Sequence, residues 1–246
     1  EASCAAHGNK LFVIGGRDRE QPETALNTIY MLDTTPDTDK MKWVSLPPFP
    51  GEGRILSTAA VCDSTLFIIG GCSLSRDNSG ETSRTYLSDM IGYDMTSKDP
   101  SKWGSSGRQQ LAGPGMPVAA AAGPAPVREN SILLIGGDKR GNSPDPSRPV
   151  AQSRDILVYD VIGNTWTRQG EWPVGIATVP AVVRGSEIMT ISGETAPGVR
   201  TPVNASASAG YHFEMSTVDY AVLILTIIVL AIIIVSAVRN GVKNVA

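Results

Sequence analysis

Four short apolar runs, each ending in a glycine, recur along this chain of 246 residues: LFVIGG at 11–16, LFIIGG at 66–71, ILLIGG at 132–137 and IMTISG at 188–193. Their last glycines, Gly16, Gly71, Gly137 and Gly193, are 55, 66 and 56 residues apart. Self-similarity at a period near fifty marks a repeat array. Runs apolar at successive positions, bounded by turn residues, read as strands covered on both faces. A unit of this size cannot cover both faces of its own sheet, so each needs a neighbour.

The rest of each unit follows the same order. Tyr30, Asp33 and Trp43 come after the first glycine pair, Tyr93, Asp94 and Trp103 after the second, and Tyr159, Asp160 and Trp166 after the third. Inner strands are expected at 57–61, 118–122 and 178–183, just before the glycine-tipped runs. The glycines admit positive φ and close backbone approach. Trp43, Trp103 and Trp166 are expected to fill the space between neighbouring sheets. The predicted fold is an all-β propeller with about four blades, a small number for an architecture that uses about four to eight.

This pattern resembles the kelch repeat over residues 1–195. The fourth unit lacks the Tyr/Asp and Trp positions, and the sequence opens on Glu1 rather than Met. The expectation is a piece of a larger ring, with an incomplete kelch propeller over 1–200.

Composition narrows the class. The net charge is −3 with 41% apolar residues, and no basic stripe marks a nucleic-acid partner. Cys4, Cys62 and Cys72 show no metal-ligand spacing; they read as structural, with at most one disulfide among them.

No charge interrupts YAVLILTIIVLAIIIVSAV at 220–238. At a rise of about 1.5 Å per residue, such a helix is about 28 Å long, close to the bilayer's hydrocarbon thickness. A transmembrane helix is therefore expected over 219–239. Glu214 and Asp219 precede it, and Arg239 and Lys243 follow, which puts the tail 240–246 in the cytoplasm and the propeller outside. The lipid bilayer is thus an expected partner. Small residues in TPVNASASAG, within 201–218, predict a mobile tether. Asn204-Ala205-Ser206 fits a glycosylation acceptor in a eukaryotic secretory pathway.

The fourth unit departs from the repeat. After Ser192-Gly193 it continues Glu194-Thr-Ala-Pro197-Gly198-Val-Arg200-Thr201. A Pro-Gly turn is expected to bring Arg200 back beside Glu194 at the propeller's central mouth. Together they offer a proton-transfer group and a clamp for an anion. A structural Glu–Arg pair pinning a loop is the plainer alternative.

The stretch GETAPGVRT closely resembles a segment of the N-acetylneuraminate mutarotase (epimerase) family, a six-bladed kelch propeller. That resemblance implies that Glu194 and Arg200 form the active-site pair, with a sialic acid or related acidic sugar as ligand. It implies exchange of the sugar's α and β anomers and calls for no metal or organic cofactor. Some bacterial proteins fuse such a propeller to a sodium/solute symporter, and STVDYAVLILTIIVL at 216–230 is similar to the opening of a symporter's first helix. Glycines common in such helices are missing from 220–238. A transporter bundle is the partner this implies in a longer parent protein.

Other candidates are weaker. Arg54 precedes a repeat strand and is a candidate substrate ligand at the mouth, with surface salt-bridge use as its alternative. Asp138, Lys139 and Arg140 follow the third glycine pair in a loop expected to be solvated, with a place in the pocket lining as its alternative. His7 and His212 stand in no triad or metal spacing. The competing functional class is a membrane-anchored kelch module that binds a protein partner without catalysis, because fold alone does not settle function.

Overall fold

The structure, a computed structural model, describes residues 1–20, 22–99, 121–139 and 151–208, and these build four antiparallel blades. Blade one comprises β1 (Ser3–His7), β2 (Lys10–Ile14), β3 (Ile29–Asp33) and β4 (Trp43–Leu46), in that order across the sheet. Blade two has β5 (Thr58–Cys62) and β6 (Thr65–Ile69). A hairpin of β7 (Cys72–Arg76) and β8 (Thr82–Tyr86) intervenes before β9 (Met90–Asp94), which pairs with β6. Blade three has β10 (Val127–Arg128), β11 (Ser131–Ile135), β12 (Asp155–Asp160) and β13 (Thr165–Glu171). Blade four begins with β14 (Ala181–Arg184) and β15 (Glu187–Ile191). A second hairpin, β16 (Glu194–Ala196) and β17 (Val199–Arg200), precedes β18 (Asn204–Ser208), which pairs with β15.

The continuous apolar runs have a simple cause in blade two. Leu66 and Ile68 of β6 join one core cluster with Phe12, Ile14 and Met31 of blade one. Phe67 and Ile69, the alternate residues, join another with Ile132, Leu134 and Tyr159 of blade three. Side chains alternate across a strand, so burial on both faces requires an apolar residue at every position. Each fully buried aliphatic side chain contributes about 2 kcal/mol.

Blade one breaks this rule. Its β2 buries Phe12 and Ile14 but leaves Leu11 exposed on the other face. Leu11, Leu32 and Trp43 are cross-strand partners in one row, and Trp43 is 51% exposed. The expected inter-blade role of Trp43 therefore does not hold among the described residues: no blade stands on that face. Trp166 does pack as expected, 5.1 Å from the Tyr159 ring, which meets Phe67 edge-on at 5.8 Å. Trp103 lies outside the described residues.

Other expectations shift for local reasons. The inner strand of blade three is not 118–122, of which only 121–122 are described; it is Val127–Arg128. Pro124 and Pro126 precede it and have no N–H to donate, yet their carbonyls accept from Ile135 N (3.0 Å) and Leu133 N (3.0 Å). The repeated aspartates close their strands: Asp33, Asp94 and Asp160 accept backbone N–H bonds from Thr35, Thr96 and Ile162. Part of the segment expected to be a tether is instead β18, in register with β15 from Ile191↔Asn204 to Glu187↔Ser208. Alternating small residues suit it to an outer strand, with Ala205 buried and Asn204 and Ser206 exposed.

No helix among the described residues is long and apolar enough to cross a membrane. The apolar stretch 220–238 and the tail 240–246 lie outside those residues. None of the three cysteines forms a disulfide; Cys62 and Cys72 are buried and Cys4 is exposed.

Candidate active site

The first strand of each blade faces a central cavity of about 1010 Å³. Its rim is set by one residue per blade: Glu1, Leu56, Ala122 and Thr178. Leu56 N donates to Glu1 O (2.8 Å), Ala122 N to Leu56 O (2.7 Å) and Thr178 N to Ala122 O (2.8 Å). Leu56, Ala122 and Thr178 all have positive φ, at 55°, 57° and 56°. Glycines lock the layer behind the rim. A Cβ on Gly136 (φ +66°) would sit 2.5 Å from the Ile176 carbonyl oxygen, so no other residue fits there.

In blades two, three and four, the residue after the glycine-tipped run bridges to the segment that leads into that same blade. Cys72 pairs with Ile55, Asp138 with Ala121 and Glu194 with Ala177. Glu194 thus has a backbone fixed by the repeat, through Ala177 N to Glu194 O (2.9 Å) and Glu194 N to Ala177 O (3.1 Å). Blade four then departs from the other blades. Ser192 takes the first glycine's place at φ 65°, and its hydroxyl donates to Thr201 O (2.8 Å), closing the base of the β16–β17 hairpin. Pro197 and Gly198 form the tip, with Gly198 at φ 74°.

That hairpin brings together the two residues singled out from sequence. Glu194 and Arg200 are register partners, with Arg200 Nη2 3.6 Å from Glu194 Oε2. Glu194 Oε1 accepts the Gly198 N–H (3.1 Å), and Arg200 Nη1 donates to Thr178 Oγ1 (2.8 Å). The carboxylate is 16% exposed and the guanidinium 65% exposed, so a held acid lies beside an accessible cation. Thr178 lines the cavity, whereas Glu194 and Arg200 do not; Arg200 is linked to it through the Thr178 hydroxyl. Thr178 belongs to this cluster, although the repeat pattern marks it only as the start of an expected inner strand, which begins instead at Ala181.

Arg54 is not at the mouth. Its side chain is 1% exposed and bidentate on Asp89, with Nη1 to Oδ1 at 2.8 Å and Nη2 to Oδ2 at 3.1 Å. Nη1 also donates to Gly70 O (3.1 Å), and the guanidinium lies 5.6 Å from the Phe49 ring centre. These contacts make it a fastener inside the fold and leave it no access to a ligand, which corrects the expectation of a substrate contact.

Asp138 is buried and accepts the Tyr86 hydroxyl (2.9 Å), so it is no solvated loop residue. Lys139 and Arg168 both contact Asp155, and they hold its carboxyl below the usual carboxylate range, Lys139 more than Arg168. His7 is exposed at the end of β1, the far end of that strand from Glu1. Arg140 and His212 lie outside the described residues.

Comparison with known proteins agrees with this fold. Residues 1–50 match the Kelch motif. The chain is 24% identical over 193 residues to N-acetylneuraminate epimerase of Yersinia enterocolitica, covering 67% of this chain and 47% of that protein. It is 26% identical over 201 residues to N-acetylneuraminate epimerase 1 of Escherichia coli, covering 71% and 50%. A Haemophilus influenzae N-acetylneuraminate epimerase is 25% identical over 181 residues, covering 65% and 46%. The chain therefore spans about half the length of the curated relatives it matches. Among solved structures, that of YjhT superposes with a TM-score of 0.62 at 21% identity, over 84% of this chain and 62% of the other. The fold is an all-β propeller of the kelch type, similar in sequence to proteins named for action on a sialic acid.

Proposed function

We propose that this chain is part of a sialic-acid mutarotase, a kelch propeller that speeds exchange between the α and β anomers of N-acetylneuraminate or a closely related acidic sugar. The observation that carries this reading is the Glu194–Arg200 hairpin, linked to the cavity rim through Thr178, in a chain similar to N-acetylneuraminate epimerases. Arg200 supplies an exposed planar guanidinium, the group best matched to a sugar carboxylate. It does not shuttle protons, since a guanidinium stays charged. Glu194 supplies the base.

In the forward step, the Glu194 carboxylate takes the proton of the anomeric hydroxyl. The electron pair left on that oxygen forms a carbonyl as the ring carbon–oxygen bond breaks, and the ring oxygen leaves as a hydroxyl by taking a proton from water. Rotation about the freed carbon exposes the carbonyl's other face. The same hydroxyl then attacks, its proton passes to solvent, and Glu194 returns the proton to the new anomeric oxygen. No net proton or electron is consumed.

The apolar stretch 220–238 and its flanking charges support a membrane anchor with the propeller outside the cytoplasm. We further propose that the parent protein couples the propeller to a sodium-driven sugar carrier, so that anomers equilibrate where uptake occurs. The similarity of 216–230 to a symporter's first helix supports this. Further apolar segments after residue 246 in the parent reading frame are the expected result, and a stop codon there would contradict it.

The catalytic reading is tested by adding the intact protein to freshly released α-N-acetylneuraminate and following the anomers by NMR. Conversion faster than in buffer at the same pH is expected. A rate equal to buffer would leave a binding module.

A further inference from the structure

Thr178 holds a β-branched side chain at φ 56°, a backbone region such residues rarely enter. Leu56 and Ala122 share that backbone at the equivalent rim positions, so the conformation belongs to the repeat. The hydroxyl does not: Leu56 and Ala122 have none. In blade four that hydroxyl accepts Arg200 Nη1 at 2.8 Å. Strain of this kind persists where the surroundings over-determine it, and it clusters at functional sites.

The surroundings here are specific. Thr178 N is tied to Ala122 O, and its neighbour Ala177 is tied in both directions to Glu194. The Thr178 side chain therefore leaves a fixed backbone, and Arg200 is gripped from two sides. Nη1 rests on Thr178, and Nη2 lies 3.6 Å from Glu194. A long, 65% exposed side chain would otherwise sample many rotamers.

We infer that Thr178 is a positioning residue that sets the orientation of the Arg200 guanidinium for the carboxylate of an acidic sugar; this rests on the reading of Arg200 as the anion clamp. Its hydroxyl acts through Arg200, carried on the positive-φ backbone that Leu56 and Ala122 also adopt at the rim.

Three substitutions in the intact protein, with Arg200→Ala as control, separate the possibilities. KM and kcat for N-acetylneuraminate mutarotation are measured together with the melting temperature. Thr178→Val keeps the branched shape and deletes the acceptor; KM should rise about tenfold with kcat changed much less. Thr178→Ser keeps the acceptor and should restore KM. Thr178→Gly should raise the melting temperature, because glycine accepts this φ without strain, while still weakening binding. A purely structural Thr178 would move binding and stability together. If Arg200→Ala raises KM and Thr178→Val does not, the positioning role is overturned and the clamp stands. If Arg200→Ala leaves KM unchanged, the clamp itself is wrong, and the inference falls with it.

Discussion

Glu194 and Arg200 are opposite one another across a two-stranded hairpin, carboxylate to guanidinium at 3.6 Å. The distance is longer than a hydrogen bond, so neither group is saturated by the other. Glu194 is held by the Gly198 N–H and Arg200 by the Thr178 hydroxyl. Each contact comes from the hairpin tip or the rim, so third groups hold the pair in place in addition to its own 3.6 Å ion pair. Preorganised groups that need no rearrangement during reaction are what catalysis by positioning requires.

Arg54 and Asp89 tie blade one's exit to blade two. Removing Asp89 leaves a 1% exposed guanidinium without its counter-ion. Asp89→Ala should cost about 3 kcal/mol in urea unfolding, and Arg54→Met should cost less because the Asp89 carboxylate it leaves behind is 34% exposed and can be solvated. Activity per folded molecule should be unchanged in both.

Tyr93 is fully buried, donates to Pro47 O (2.9 Å), and burial pushes its phenol up to about 12. A raised value means the folded state favours the neutral phenol. The stability this contributes is complete below the ordinary value of 10.0 and is lost as pH rises through about 12. Alkaline unfolding should therefore be steep in the wild type and shallower in Tyr93→Phe, read from denaturant midpoints across that range.

Asp155 behaves oppositely. Lys139, and then Arg168, hold its carboxyl below its ordinary 3.8. Its contribution is present above that value and disappears as pH falls through the lowered one. The stability difference between wild type and Asp155→Asn should accordingly be largest near neutrality and vanish in acid, measured by thermal melts at stepped pH.

Trp172 is buried in blade three, and its indole N–H donates to Thr190 Oγ1 (3.0 Å) of blade four. Thr190→Val strands that donor and should cost about 1–3 kcal/mol, while Thr190→Ser should cost markedly less. Equal losses in calorimetry would show that methyl packing matters there instead.

Much of the scaffold is readable before any coordinates. The alternating destinations of Leu66, Phe67, Ile68 and Ile69 follow directly from a run apolar at every position. Asp33, Asp94 and Asp160 repeat because each caps a turn. The Pro197–Gly198 turn and its flanking acid and base are equally local. What sequence hides is non-local. Nothing near Arg54 in the chain announces Asp89, 35 residues away. Trp43 occupies the same repeat position as Trp166, yet among the described residues only Trp166 packs into a core shared with a neighbouring blade. Thr178 resembles any strand-flanking threonine until the rim ladder gives it a positive φ and a guanidinium partner. The segment 204–208 has a linker's composition and becomes a strand only because β15 offers an unpaired edge.

The most direct test is the anomer exchange rate of N-acetylneuraminate, measured by NMR saturation transfer with intact wild-type protein and with Glu194→Gln at equal folded concentration. With Glu194 as the proposed general base, the substitution should slow the enzyme-dependent rate by about a hundredfold or more, toward the rate in buffer, with the melting temperature unchanged. A Glu194→Gln protein that equilibrates the anomers as fast as wild type would contradict the account.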